Sequence, residues 1–199
     1  MFDKHLRPWI DPPLNVLGRK LVQVGISANQ VTLVGLMVGL AAGISIGFGY
    51  YWLGLLLILI NRLFDGLDGA IARASHSTDF GGYLDIVCDF AFYVVIPIGF
   101  GFAAPGNLPF ALVLVASFTV TGISFLAFAL MAAKQGRETT AHGKKSFFYS
   151  TGIAEGTETI IVFVVMCLFP TFFTALAVLY TVMCVLTVIQ RSVYAWKSF

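Results

Sequence analysis

Charged side chains are scarce in this chain, and their scarcity excludes most soluble folds. Only 11% of the 199 residues are Asp, Glu, Lys or Arg, whereas soluble globular proteins average about 25%. A disordered chain or a charged coiled coil would need many more of them. The net charge is only +2, and the basic residues form no cluster that would bind nucleic acid. Because 58% of its residues are hydrophobic, we expect the chain to have a lipid bilayer as its partner.

Cysteine is also rare, and its positions give no framework for a disulfide or a zinc site. Cys88, Cys167 and Cys184 lie singly within apolar runs, so we expect them to be small buried hydrophobic residues. No cleavable signal sequence is evident, because residues 1–28 mix charge, proline and apolar residues without a continuous apolar region. We therefore expect the first membrane helix itself to direct insertion.

Six apolar stretches dominate the rest of the chain, each long enough to cross a bilayer as a helix. About 20 residues span roughly 30 Å as a helix, and a backbone in lipid must satisfy its hydrogen bonds internally. The predicted fold is an all-α integral membrane protein, with a six-helix domain over residues 29–199 and a juxtamembrane segment over residues 1–28. The six predicted transmembrane helices are Asn29–Gly49, Trp52–Arg73, Gly82–Phe102, Leu108–Ala133, Thr151–Phe169 and Phe172–Arg191.

The distribution of basic residues predicts the topology. The linkers 49–52, 103–107 and 169–171 contain no charged residue, and all 12 Lys and Arg residues belong to the opposite side. Positive residues mark cytoplasmic loops, so we expect a multi-pass inner (plasma) membrane protein with both termini in the cytoplasm. In the juxtamembrane segment, Pro12–Ile26 has apolar residues at helical spacing and forms either a helix on the cytoplasmic surface or a simple loop.

Glycine recurs at every fourth residue in the first predicted transmembrane helix. The repeat comprises Gly35, Gly39, Gly43 and Gly47, and it lets another helix approach the backbone closely. Packing within the bundle is the ordinary interpretation, and a homodimer interface is the alternative.

Four aspartates lie in or beside the second and third predicted transmembrane helices. Asp65 and Asp68 share one face of the first of these helices. Asp85 and Asp89, four residues apart, share one face of the next. One Asp at the centre of a membrane helix costs roughly 2.5–3.5 kcal/mol, so we expect the four either to have a partner that neutralises them or to lie near the interface. The two helices run in opposite directions, which brings both pairs to a similar depth in a cavity open to the cytoplasm.

These carboxylates are suited to binding two divalent cations, whose charge would balance theirs. Ligation by oxygen alone favours Mg²⁺, and Mn²⁺ after it. Two such ions clamp the attacking and leaving oxygens in reactions at phosphorus. Nearby, the small residues Gly69, Ala72 and Gly81 leave room for a bulky phosphorylated ligand, and Arg73 can hold a phosphate oxygen. A polar seam between helices or a proton relay is the alternative.

The sequence from Asp65 to Asp89 resembles the signature of the CDP-alcohol phosphotransferase (phosphatidyltransferase) family. All eight positions of the pattern Asp-x2-Asp-Gly-x2-Ala-Arg-x7-Gly-x3-Asp-x3-Asp are present within 25 residues. Ser27–Thr32 is also similar to the start of the first helix in that family, and the whole chain looks most like a bacterial inner-membrane branch of it. The resemblance implies a six-helix core, cytoplasmic termini, a cytosol-facing active site and a homodimer.

The resemblance implies roles for the residues of the signature. The four aspartates would hold two divalent cations. Asp85 and Asp89 would be catalytic, with Asp89 as the general base on the acceptor hydroxyl. The residues expected to bind the cytidine diphosphate part of the donor are Asn29, Asp68, Gly69, Ala72, Arg73 and Gly81.

Basic residues outside the signature are candidates for holding a phosphate on the acceptor, a role that such residues can have in this family. The candidates are Arg137, Lys144, Lys145 and Arg191. For the linker that contains three of them, a solvated loop that contacts lipid headgroups is the alternative. Asn61 lies one turn before Asp65, where it would bond either an aspartate or a neighbouring helix.

The expected function is a transferase that moves a phosphatidyl group from CDP-diacylglycerol to a small polar alcohol and releases CMP. Glycerol 3-phosphate is the first expected acceptor, and inositol phosphate, inositol and serine are the others. A CDP-choline or CDP-ethanolamine transferase acting on diacylglycerol would use the same signature. A membrane transporter and an aspartate-rich prenyltransferase are the rival classes. The motifs of that prenyltransferase lie far apart in sequence, whereas the two pairs here are about 20 residues apart.

Overall fold

The computed structural model describes residues 3–135 and 152–199, and within that part of the chain every regular element is a helix. Short 3₁₀ turns at Pro105–Asn107 and Pro170–Phe172 precede two of the longer helices. The all-helical prediction is therefore confirmed for the described residues. The helices are α1 Asp3–Gln23, α2 Ala28–Gly47, α3 Tyr51–Ala74, α4 Asp79–Ala103, α5 Leu108–Lys134, α6 Gly156–Leu168 and α7 Phe173–Ser198.

Local side chains set the helix ends around α2 and α4. Gln30 N–H donates to the Ser27 hydroxyl at 3.4 Å and Ser27 N–H donates to Gln30 Oε1 at 2.9 Å, a reciprocal cap that starts α2. Thr78 caps α4 by accepting a 3.0 Å bond from Gly81 N–H. Gly49 adopts a φ of 81°, which glycine accommodates without strain, and turns the chain from α2 into α3. These caps place three consecutive helices against one another.

Among the described helices, four segments are long and apolar enough to cross a membrane, so the chain is a multi-pass helical membrane protein. The predicted count of six spans is not confirmed. Helix α3 carries four charged residues, and α6 has only 13 residues, fewer than the roughly 20 that a span needs. The helix predicted over Thr151–Phe169 begins only at Gly156. The four segments are Ala28–Gly47, Asp79–Ala103, Pro105–Lys134 and Pro170–Ser198.

The juxtamembrane segment forms a helix rather than a loop, and that helix, α1, begins earlier than the predicted Pro12. It packs tightly on α3. A Cβ added to Gly18 would lie 3.0 Å from the backbone carbon of Ala70, and one added to Gly66 would lie 2.7 Å from Leu14. The contact buries a small apolar cluster that ties α1 to the polar end of the bundle.

The glycines of α2 allow α3 and α4 to approach closely. A Cβ on Gly39 would lie 2.8 Å from the Phe92 ring, and one on Gly43 would lie 2.8 Å from the Val95 carbonyl oxygen. A Cβ on Gly99 of α4 would collide with the carbonyl oxygen of Gly43. The glycine repeat therefore packs within the bundle, which was the ordinary interpretation. It fixes the backbones of α3 and α4, the helices that carry the acidic residues.

Aromatic rings fill the larger core between the second half of α4 and the helices α5 to α7. Phe173 stacks on Phe100 with ring centroids 4.9 Å apart, and Phe163 meets Phe92 edge-on at 5.9 Å. All four rings are fully buried. The three cysteines are buried and form no disulfide, as the sequence predicts.

Candidate active site

A cleft opens between α2, α3 and α4, and it gathers the acids of the signature. Helix α3 contributes one pair and α4 the other, as the antiparallel arrangement predicts. Thr32 and Gly35 of α2 complete the wall that faces them. The four acids lining the cleft are Asp65, Asp68, Asp85 and Asp89.

Asp65, Asp68 and Asp85 form the tightest group. One carboxylate oxygen from each lies within 4.8 Å of the others. Asp68 is buried, and its Oδ2 accepts a 2.6 Å hydrogen bond from the hydroxyl of Thr32, so α2 orients this carboxylate. Oxygens that share one Mg²⁺ at about 2.1 Å lie up to about 4 Å apart. The observed limit of 4.8 Å is slightly wider, so the carboxylates would draw together around one ion, and their all-oxygen donor set suits a hard divalent cation.

Asp89 lines the same cleft but is paired with a cation of the chain itself. Its Oδ1 accepts a 3.1 Å hydrogen bond from Arg62 Nη2. The other terminal nitrogen, Nη1, lies 3.6 Å from Asp65 Oδ2. The guanidinium therefore bridges the acid pairs of α3 and α4, and it leaves the cleft with less negative charge than the four carboxylates alone would give.

The guanidinium of Arg62 is held by its neighbours. Its Nε donates to Asn61 Oδ1 at 2.8 Å, and the Asn61 amide donates to the Gly35 carbonyl at 2.7 Å. The guanidinium carbon lies 4.4 Å from the centroid of the Phe92 ring. Asn61 thus forms the bond to a neighbouring helix, one of the two alternatives from the sequence, and reaches Asp89 only through Arg62.

The residues expected to bind the donor lie at the ends of the same helices. A Cβ on Gly81 would lie 3.1 Å from Asn29 Oδ1, which places the starts of α2 and α4 side by side. At the end of α3, a Cβ on Gly69 would lie 3.2 Å from Arg73 Nη1. Ala72 is half-buried next to the exposed Arg73. Small side chains therefore border the acids on both helices.

Helix α1 also reaches this region, through hydrogen bonds between Arg73 and Asn15. Arg73 Nη2 donates to Asn15 Oδ1 at 3.1 Å, and Arg73 Nε lies 3.4 Å from the same oxygen. The juxtamembrane helix consequently orients an arginine of the signature.

Among the candidates for binding an acceptor phosphate, Arg191 lies in the described part of the chain, and it does not line this cleft. Arg137, Lys144 and Lys145 lie outside the described residues. Arg191 is 5% exposed on α7, and its Nη1 donates to the Thr121 carbonyl at 2.9 Å and to the Ser124 hydroxyl at 2.7 Å. Its described bonds therefore tie α7 to α5.

Two side chains that bond the acids of the cleft, those of Arg62 and Thr32, were given no role in the site by the sequence. In the sequence, Arg62 counts only toward the topology, although its position three residues before Asp65 is a spacing at which opposite charges meet on a helix. Thr32 gives no comparable signal, because its partner Asp68 lies 36 residues away along the chain.

Comparison with known proteins finds relatives that match over most of the chain. A family model described as CDP-alcohol phosphatidyltransferase matches residues 26–190. The chain is 45% identical to the inner membrane protein YnjF of Escherichia coli (strain K12), over 100% of this chain and 96% of that protein. It is 28% identical to the archaetidylinositol phosphate synthase of Methanothermobacter thermautotrophicus, over 98% of this chain and 93% of the synthase.

Solved structures show a similar fold. One is the crystal structure of Mycobacterium tuberculosis phosphatidylinositol phosphate synthase with CDP-DAG bound, at a TM-score of 0.68 and 23% identity. The match covers 92% of this chain and 93% of that one. A second structure of the same synthase, in complex with manganese and citrate, matches with a TM-score of 0.67 and 23% identity over 92% of this chain and 88% of that one. At this level of identity the likeness concerns the fold.

Proposed function

Because the chain belongs to the CDP-alcohol phosphatidyltransferase family, and so is an enzyme of the phosphotransferase type, we propose that it transfers the phosphatidyl group of CDP-diacylglycerol to a small polar alcohol. The observation that carries the proposal is the acidic cluster of Asp65, Asp68 and Asp85, which shares one cleft with Asp89. A lipid donor suits a membrane protein, because its acyl chains can stay in the bilayer while its head group enters the polar cleft.

The reaction exchanges one bond at phosphorus for another. The hydroxyl oxygen of the acceptor bonds to the phosphorus that carries diacylglycerol, and the bond from that phosphorus to the bridging oxygen breaks. CMP leaves with the bridging oxygen. Asp89 takes the proton of the attacking hydroxyl as general base, which requires its carboxylate to come within hydrogen-bond reach of the acceptor.

Asp65, Asp68 and Asp85 would hold one divalent cation, and Asp89 would contribute to a second. Carboxylate oxygens favour Mg²⁺, and Mn²⁺ after it. The complex of the similar M. tuberculosis synthase with manganese supports this assignment. When bound, such cations stabilise the charge that develops on the departing phosphate.

The donor nucleotide would contact residues at the helix ends around the cleft. Asn29 and Gly81 border one side, where the absence of a Cβ at Gly81 lets the two residues lie close together, and a base or a ribose would contact them there. On the other side Arg73 would hold the pyrophosphate, and the small residues Gly69 and Ala72 would leave room for the donor. Asp68 would contribute to donor binding from within the cleft. The bound CDP-DAG of the similar M. tuberculosis synthase supports a liponucleotide donor.

We expect the acceptor to be a phosphorylated polyol. The names of the two similar synthases, both ending in inositol phosphate synthase, favour inositol phosphate over glycerol 3-phosphate, the first expectation from the sequence. Inositol and serine are then the acceptors without a phosphate. Arg137, Lys144 and Lys145 stay candidates for the phosphate contact, whereas Arg191 would first have to exchange its bonds to α5.

For the membrane arrangement we infer six spans, α2 to α7, over residues 29–199, with the juxtamembrane segment at residues 1–28. Helix α3 would cross with its charges turned into the cleft, and α6 would be a short span. Both termini and the cleft would face the cytoplasm, in the inner membrane that the name of the E. coli relative indicates. A homodimer is the expected assembly.

The test is an acceptor panel with purified protein, CDP-diacylglycerol and Mg²⁺, in which CMP and the lipid product are both resolved by mass. The acceptors are inositol phosphate, glycerol 3-phosphate, inositol and serine, and a separate arm offers CDP-choline or CDP-ethanolamine with diacylglycerol. We expect CMP only when a phosphorylated polyol is present. If no arm releases CMP, the proposal is contradicted. Turnover only in the separate arm would show that diacylglycerol is the acceptor and not part of the donor. Asp89→Asn should abolish turnover while the other three acids still bind metal.

A further inference from the structure

The guanidinium of Arg62 divides the acids of the cleft into two groups. On one side are Asp65, Asp68 and Asp85, whose oxygens converge within 4.8 Å. On the other is Asp89, whose Oδ1 is bonded to Arg62 at 3.1 Å. We propose that Arg62 is a built-in counter-ion that limits the donor-free cleft to one divalent cation. It keeps Asp89 bonded to its own guanidinium, and so away from a second cation, until the donor is present. The inference rests on the proposed function, since it concerns the same site.

The position of Arg62 is enforced from several directions. Asn61 receives its Nε, and Phe92 lies under its face at 4.4 Å. These two supports are themselves packed against α2, because a Cβ on Gly39 would lie 3.1 Å from the Asn61 amide nitrogen and 2.8 Å from the Phe92 ring. The side chain of Arg62 is only 18% exposed. Moving the guanidinium out of the cleft would therefore break its hydrogen bond to the Asn61 side chain, a ring contact and two carboxylate contacts together.

The charge of Arg62 acts most strongly on the cation position beside Asp89. A divalent cation there would be repelled by the adjacent guanidinium and would compete with it for the same carboxylate. The cluster of three acids is affected less, because only Asp65 among them faces the guanidinium, at 3.6 Å. The cleft therefore presents one strong cation position and one that its own arginine suppresses.

The pyrophosphate of the donor changes this balance. Its negative charges favour a second cation and also offer Arg62 a new partner, so that Asp89 is released when the substrate arrives. By linkage, the second cation and the donor then strengthen each other's binding. Arg62 would thus be a positioning residue, because the second cation position forms only when the donor is bound. Without the donor, its charge reduces the repulsion among the four acids.

The experiment counts Mn²⁺ bound to the purified full-length protein in detergent, by electron paramagnetic resonance of free Mn²⁺, with and without CDP-diacylglycerol. Wild type should bind about one Mn²⁺ per chain without the donor and about two with it. Arg62→Gln should bind about two in both conditions, with affinity at the second position raised at least about tenfold in the absence of donor. Arg62→Lys keeps the charge and should behave like wild type. Lys20→Gln is the matched control, because it removes a positive charge at an exposed position of α1 that does not line the cleft, and it should leave both counts unchanged.

A thermal melt keeps the inference testable where Arg62→Gln is unstable. In EDTA this variant should melt below wild type, and Mn²⁺ should raise its melting temperature more than it raises that of wild type. An unchanged Mn²⁺ count in Arg62→Gln, or a low melting temperature that Mn²⁺ does not restore, would overturn the inference. Wild type that binds Mn²⁺ and releases CMP would in that case leave the proposed function intact. Wild type that does neither would contradict the proposed function itself.

Discussion

Two halves of this bundle are packed by different means. Where α2 meets α3 and α4, backbones approach each other across glycines such as Gly43 and Gly99. Where the second half of α4 meets α5 to α7, rings such as Phe100 and Phe173 fill the space. A backbone contact has no rotamers to relax, so the glycine half fixes positions, whereas the aromatic half supplies buried area. The acids line the cleft between α2, α3 and α4, the helices of the glycine half. We therefore expect that activity and stability can be changed separately.

The largest effect should come from the acids. Asp85→Asn replaces a charged ligand by a weaker neutral one, and we expect the rate of CMP release to fall about a thousandfold with little change in melting temperature. Asp79→Asn is the matched control, since Asp79 lies in the exposed first turn of the same helix. Equal losses in the two variants would show that the position in the cleft is not what matters.

In the aromatic half, Phe173→Ala should reduce the free energy of unfolding by about 3–5 kcal/mol, because it removes a fully buried ring and leaves a cavity. The melting temperature should fall, and the protein that is still folded should bind Mn²⁺ as wild type does. Phe172→Ala, at the adjacent and 61% exposed position, should have little effect on either. Loss of Mn²⁺ binding in the folded fraction of Phe173→Ala would break the separation between the halves.

In the glycine half, Gly99→Ala should cost about 1–3 kcal/mol, because the new methyl group meets the carbonyl oxygen of Gly43. Since the shift would be passed to α2 and to the acids above it, CMP release should fall as well. Gly82→Ala lies in the same helix with nothing within 4 Å of the added Cβ, and it should be neutral or slightly stabilising. A Gly99→Ala enzyme that is destabilised but fully active would show that the acids tolerate movement of their support.

The smallest effect concerns α1. Asn15→Ala removes the hydrogen bond to Arg73, and at about 1 kcal/mol this should raise the KM for the donor about fivefold while kcat is unchanged. Val16→Ala, at a half-exposed position on the same helix, should leave both constants near their wild-type values. A change in kcat rather than KM would mean that Asn15 acts on the reaction step and not on donor binding.

The gathering of the acids was predictable from the sequence, because it follows from local periodicity and helix direction. Asp65 and Asp68 share a face by their spacing, as do Asp85 and Asp89, and a short connection makes the two helices antiparallel. The glycine repeat likewise indicated a close approach. These features depend on residues near each other in the chain, which is where pattern reasoning is strongest.

The pairing within the cleft was not predictable in the same way. That Arg62 takes Asp89 rather than leaving it to a metal depends on Phe92 and Asn61 holding its guanidinium, and so on contacts between three helices. The start of α6 at Gly156 was also missed, although Gly152 and Glu155 interrupt the apolar residues that precede it. Composition shows that a segment is apolar, but the packing around it decides how much of it is helical.

The contact of α1 with α3 has a consequence for how the protein is made. Helix α1 leaves the ribosome before α3 has been synthesised. The surface around Ala70, against which Gly18 packs, therefore does not yet exist at that stage. The amino-terminal helix can settle only after a later segment has been inserted and has turned its small residues toward it. Helix α1 is therefore translated before α3 but reaches its final place only after it.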